Sequence, residues 1–252
     1  MEGKEGYADL LKKLHPLSQK KKIGAYYKYT YNDPSGAQVF IYSKAGFFKK
    51  EEFFCAFPGF EGKGIQKIWS AEEPGLDGYE YGARIINEEK CEVEGTLSCW
   101  VHNEKDEEYP LLIDIQNYLE TMEKKTSEIK RVQITLFPHQ FEHYKTEQDF
   151  RKKYPKGEKN PFPSPGMFIP SGTFSPKNYP NFKPHAECYC YGRVEFAETL
   201  KNEFSGLEFQ HVIIDTYGAK YDVLVDWTHK QDIEIGDIVG GFFWVSGKVL
   251  FE

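Results

Sequence analysis

Methionine is nearly missing from this sequence, with three in 252 residues, and no apolar run comes near the roughly 20 residues that a membrane-spanning helix needs. The opening stretch, MEGKEGYADLLKKLHPLSQKKKIG, carries acidic residues and has no apolar h-region. No secretory or transit peptide is expected there. Cysteine is sparse as well: Cys55, Cys91, Cys99, Cys188 and Cys190 are odd in number and follow no regular framework. They read as reduced thiols in a cytoplasmic protein rather than as a disulfide scaffold.

Several catalytic signatures are also missing. FEGKGIQK (Phe60–Lys67) has glycines and lysines without the Walker spacing, and its G-x-G does not open a helix. No G-x-S-x-G elbow occurs, and no Cys/His pair stands out as a nucleophilic dyad. These gaps argue against nucleotide-phosphate and serine-hydrolase chemistry. No cofactor is expected.

What the sequence has in excess is aromatic residues. Twenty Phe, 17 Tyr and four Trp make up 16% of the chain, so with so little methionine the core must be built on rings. Rings favour pleated, half-buried surfaces, and core packing is their commonest use. They also make stacking platforms for sugars and bases. Net charge is −7, unevenly spread: +6 over residues 1–50, −11 over 51–130, +5 over 131–184 and −7 over 185–252. An acidic total is the wrong sign for a phosphate-binding groove. The Lys20–Lys22 run reads as a solvated stretch.

Along the chain, YADLLKKL (Tyr7–Leu14) has helical spacing and is stopped by His15-Pro16. From Tyr26 the pattern alternates as strands: YYKYTY and AQVFIYS, separated by the turn NDPSG, then EEFFCAF, GIQKIWS, GYEYGARII and GTLSCWVH. LLIDIQNYLETMEKK reads as a strand running into a helix, and RVQITLF as a strand. KTEQDFRKKYP is a helix with Thr146 as N-cap and Asp149 three residues later. Seven prolines between Pro161 and Pro184, mixed with Phe162, Met167, Phe168, Ile169, Phe174, Tyr179 and Phe182, predict an ordered strap rather than a loose linker. Beyond it, ECYCYGRVEFAE, LEFQHVIIDT, KYDVLVDW and DIVGGFFWVSGKVLF are strands, with TYGA as a hairpin turn and Gly240-Gly241 as a bulge or bend.

The fold expected is α+β and mostly antiparallel β. Residues 1–155 form an N-terminal body with a few short helices and residues 156–184 the strap. Residues 185–252 form a small barrel or sandwich of OB-like outline, packed on the first.

Three sets of residues invite a site. HQFEH (His139–His143) matches H-x-x-E-H, in which His139 and His143 on one helical face would hold zinc with Glu142 as base. That chemistry needs a helix through all five residues, and Thr146 is the better helix start. HAECYC places Cys188 and Cys190 on one strand face with His185 nearby, enough to pinch a soft metal but short of a structural zinc set. Asp215, Asp222 and Asp226 surround one hairpin, where a solvated face is the simpler reading. None of these sets is favoured as a metal or catalytic centre.

The leading expectation is therefore a non-catalytic binding protein with a protein partner, such as an immunity-type protein or an adaptor. A basic partner would be steered by two acidic clusters: Asp106, Glu107 and Glu108, and Asp232, Glu234 and Asp237. The alternatives are an OB-like nucleic-acid-binding module and a metal-dependent hydrolase built on HQFEH.

Overall fold

The computed structural model describes residues 3–24, 26–44, 55–63, 65–70, 82–87, 92–102, 108–122, 131–156, 163–173, 184–226 and 232–251. Helix α1 (Gly3–Leu14) runs into a 3-10 turn, His15–Leu17, where Pro16 ends it. Four strands follow: β1 (Gln19–Ile23), β2 (Tyr26–Asn32), β3 (Ala37–Lys44) and β4 (Cys55–Phe60). Next come β5 (Ile65–Ser70), β6 (Gly82–Asn87), β7 (Glu92–His102) and β8 (Glu108–Ile115), then the short helix α2 (Tyr118–Met122). The remainder is β9 (Arg131–Tyr144), α3 (Glu147–Lys153), β10 (Phe168–Pro170), β11 (Glu187–Lys201), β12 (Glu208–Asp215), β13 (Lys220–Val225) and β14 (Ile238–Leu250). The architecture is mostly antiparallel β with few short helices, as the composition predicts. Among the described residues no helix is long and apolar enough to cross a membrane.

β9 and β14 are the spine. They pair antiparallel along their whole lengths, from Ile238↔Tyr144 to Leu250↔Arg131. At one end the pair is closed into a five-strand barrel in the order β9–β14–β11–β12–β13, with a parallel join from β13 back to β9. At the other end the same two strands continue through β8, β7 and β5, and β5 returns to β9. The residues after Pro184 thus supply four strands of the barrel, and the fifth comes from upstream of the strap. Alternation decides which side chains enter: Cys188, Cys190, Val212, Ile214, Val223 and Phe243 are all at most 1% exposed in the shared core. Burial holds the Cys188 thiol well above its ordinary value, with Cys190 beside it adding to the effect. It stays protonated and unreactive.

The first four strands form a separate antiparallel sheet, β1-β2-β3-β4. One of its faces, with Phe40, Tyr42 and Ile23, joins the main core. The other, with Tyr29 and Ile41, is covered by Leu11 and Leu14 of α1. The Lys20–Lys22 run proves to be the edge strand β1, and charged lysines on an edge discourage pairing with foreign strands. Lys21 and Lys28 both bind the Glu120 carboxylate, at 2.8 and 2.7 Å. Burial lowers the Lys28 pKa, and the bond to Glu120 opposes that.

The NDPSG turn does more than reverse the chain. Asp33, 4% exposed, accepts bonds from the Ser35 N–H and hydroxyl, and its other contacts reach across the molecule. The Glu203 and Phe204 N–H groups donate to it from the loop between β11 and β12. Burial alone would raise the Asp33 pKa, but these bonds outweigh burial and hold it below 3.8. Glu120 behaves alike: burial opposes ionisation, and Lys21 and Lys28 bring its pKa below 4.5. Carboxylates depressed in the folded state stabilise fully above those ordinary values and lose the contribution as pH falls through the folded ones. The urea midpoint should therefore hold steady down to about pH 5 and drop towards pH 3. Asp33→Asn should shrink that acid drop. An identical drop in the variant would exclude Asp33 as a source.

The part of the strap within the described residues packs on the barrel. Met167 is 3% exposed beneath Tyr191, β10 pairs with β11, and Phe168 stacks on Tyr221 with centroids 4.6 Å apart. The Tyr217 N–H reaches Gly166 O from the β12–β13 turn. Phe162, Phe174, Tyr179 and Phe182 lie outside the described residues.

Candidate partner-binding face

Three neighbouring strands of the barrel, β9, β14 and β11, turn rings outward as well as inward. Phe137 faces Trp244 across the β9–β14 register, with centroids 5.2 Å apart and planes tilted by 36°. One step along, His139 and Phe242 pair at 5.5 Å and 32°. A bulge places Phe243 opposite Pro138 and Phe242 opposite Gln140, so His139 is the extra residue. On β11, Glu187 stands opposite Trp244 and Tyr189 opposite Phe242. Trp244 is fixed in place by its Nε1–H, which donates to Asp114 Oδ2 at 2.6 Å.

At its other end this face is closed. Thr146 caps α3 by accepting from the Asp149 N–H, and the helix lays Phe150, 0% exposed, against Tyr144, Tyr154 and Tyr191. The hydroxyls of those three tyrosines and the Lys153 ammonium all donate to Glu142. Partial burial opposes ionisation of Glu142, but these donors hold its pKa below the ordinary value. The half-buried rings Phe137, Phe242, Trp244 and Tyr189, with the exposed His139, are what α3 leaves uncovered.

A second polar centre lies on the opposite side of the barrel. His211 of β12, 1% exposed, has a carboxylate on each ring nitrogen: Glu198 at 2.9 Å from Nδ1 and Asp222 at 2.7 Å from Nε2. Asp222, 0% exposed, also accepts the Lys63 N–H at 3.1 Å. A side chain at Gly62 would collide with the Asp222 carboxylate, so glycine permits this approach. Phe60 lies on the imidazole with centroids 4.7 Å apart. With both nitrogens engaged and the ring sealed, the group is a buried polar tie between the β4–β5 connection and the barrel.

Each candidate site has its place in the fold. HQFEH lies within strand β9, not on the helix that zinc chemistry needs. His139 is 51% exposed on its side chain, while His143 is packed against Asp237 at 2.7 Å, so the two do not form a zinc pair. Cys188 and Cys190 do share a face, but it is the barrel interior, while His185 is exposed. Among the described residues no group of three His, Cys, Asp or Glu is placed to hold a metal. Asp215 and Asp226 are exposed, as a solvated face requires, but Asp222 is not.

The acidic clusters divide. Asp106 and Glu107 lie outside the described residues, and Glu108 opens β8. Asp232 and Glu234 are exposed, whereas Asp237 is 4% exposed and points into the fold. Its carboxylate takes bonds from the Glu234 N–H and His143, and Lys145 lies 3.2 Å away. Despite burial, these partners lower its pKa. Asp237 is therefore no contact-face residue, and a lysine there would disturb folding.

The aromatic face carries a faint sequence signal, the alternation in ECYCY and FFW. His211 carries none, because one histidine in a strand looks like any other. Comparison with protein-family models, with curated proteins and with solved structures gave no match.

Proposed function

We propose that this chain is a non-catalytic binding protein that docks a basic protein partner on the outer face of β9, β14 and β11. The observation that carries this reading is the pairing of outward-facing rings, Phe137 with Trp244 and His139 with Phe242, which stay partly accessible on the barrel strands. Outward rings that keep some access to solvent are a common feature of interaction sites, and hot spots are enriched in Trp and Tyr. The carboxylates of Asp114, Glu142 and Glu187 border the rings, a sign suited to a basic partner. Asp232 and Glu234, with the Asp106–Glu108 cluster, would steer its approach. An immunity-type or adaptor role in the cytoplasm fits this reading, with the buried thiols Cys188 and Cys190 kept reduced.

Affinity capture with the full chain tests it. Trp244→Ala and Phe242→Ala should each weaken partner binding at least tenfold, about 1.4 kcal/mol or more. Tyr217→Ala, exposed on a turn away from this face, should leave binding unchanged. Association should also slow between 50 and 500 mM salt, roughly the range over which surface charges become screened. Equal binding by all three variants would end this reading.

A closed barrel bearing stacking rings also favours a second reading, an OB-like nucleic-acid-binding module. Its test is a thymidine oligonucleotide at physiological salt. Tight binding lost in Trp244→Ala would promote this reading over the first.

A further inference from the structure

The carboxylate of Glu187 has an unusual setting. It projects from β11 beside Trp244, and His139 projects from β9 on the far side of β14. The two side chains meet above β14, whose outward residues at this point are Trp244 and Phe242, with Phe243 between them pointing into the core. Their approach is 3.7 Å, too long for a hydrogen bond. The Glu187 side chain is 31% exposed and has no closer polar side-chain partner among the described residues. The neighbouring carboxylates are engaged: Asp114 by the Trp244 indole, Glu142 by three tyrosines and Lys153.

A partly desolvated carboxylate among ring faces is poorly placed by itself. It loses water without gaining a donor, and the ring faces beside it are also electronegative. A cation seated there reverses both terms, through a charge-assisted bond to the carboxylate and attraction to the rings. The shape of the site selects among cations. Trp244 and Phe242 each already have one ring beside them, Phe137 at 36° and His139 at 32°. An added group must therefore be thin and planar to stack on the remaining ring surface while its edge bonds to Glu187. A guanidinium does this, whereas a compact ammonium is more strongly hydrated and has no plane to stack.

We propose that this face recognises an arginine side chain of the partner, its guanidinium seated on Trp244 and Phe242 and bonded to Glu187. The inference rests on reading the face as a docking surface and names the group that docks.

Three blocked tripeptides test it: acetyl-Gly-Arg-Gly-amide, its lysine counterpart and its citrulline counterpart, each titrated into the full chain labelled for NMR. The arginine peptide should shift the Trp244 indole N–H, assigned by its loss in Trp244→Phe, with saturation in the millimolar range. The citrulline peptide, planar but neutral, should give at least tenfold weaker binding. Glu187→Gln should weaken the arginine peptide by a similar factor while leaving the thermal midpoint unchanged. Equal binding of citrulline, equal binding of lysine, no shift with arginine, or indifference to Glu187→Gln would each overturn the proposal. Partner capture separates the two layers. Loss in Trp244→Ala with full retention in Glu187→Gln leaves the docking face standing and removes the arginine. Retention in both removes the face itself.

Discussion

His211→Ala should lower the stability of this protein by about 3–5 kcal/mol, among the largest effects of any single side-chain truncation here. The ring lies between two carboxylates within hydrogen-bond distance of its nitrogens, one of them the fully buried Asp222. Without it, Asp222 keeps the Lys63 N–H but loses its ring donor, in a place sealed by Phe60 and by the backbone of Gly62. Glu198 adds less, because its side chain is 37% exposed and water can replace the ring. Urea denaturation at neutral pH measures the change directly. The double variant His211→Leu/Asp222→Leu supplies the contrast: it removes the buried carboxylate together with its ring donor, so it should recover a large part of the loss. If His211→Ala loses less than about 1 kcal/mol, the tie is not structurally important.

Gly241→Ala should be nearly as damaging. Gly241 has φ +138, a conformation that L side chains rarely adopt, and an added Cβ would fall far inside van der Waals contact with the Gln140 carbonyl. Strained backbone of this kind costs about 1–3 kcal/mol. Overpacking a well-filled site costs about 1–3 more. A total of roughly 2–6 kcal/mol follows, which threatens a fold of ordinary stability. The position matters for the docking face as well, since Gly241 adjoins the bulge that sets His139 over Phe242. At temperatures where the variant remains folded, it should therefore bind partner less well than wild type. Gly236→Ala is the control, because it too has positive φ, at +95, but nothing lies within 4 Å of its added Cβ. Thermal unfolding should place Gly236→Ala between wild type and Gly241→Ala. Coincident midpoints for the two variants would show that strain alone, and not the close approach, matters at Gly241.

Much of the secondary structure was legible in the residues. The alternation in RVQITLF and KYDVLVDW, the turns at Asp33–Gly36 and Thr216–Ala219, and the Thr146 cap all act over a few positions, and each lies where the pattern places it. The extent of β9 was not legible. The alternation reads through Phe137, and Pro138 suggests a stop, yet the strand continues to Tyr144 because β14 offers it a partner along its whole length. The lysines of β1 are exposed, as a solvated run should be, but their pairing with β2 was not legible for a similar reason.

The residues by themselves determined that this protein is β-rich, built on rings, and turned at particular glycines and prolines, because propensity and period are local properties. Tertiary structure decided what each outward face meets. Asp222 and Asp226 have the same alternation in the sequence, Asp222 within β13 and Asp226 just past its end. One is fully buried because Lys63, 159 positions upstream, crosses over it, and the other is left to solvent. The rings of β9 and β14 follow the same rule: α3 covers one end of their outer face, and the other end, around Trp244, keeps partial access to solvent among the described residues. Pairings between distant segments leave no periodicity in the chain, so the site they create could be read only once the strands were side by side.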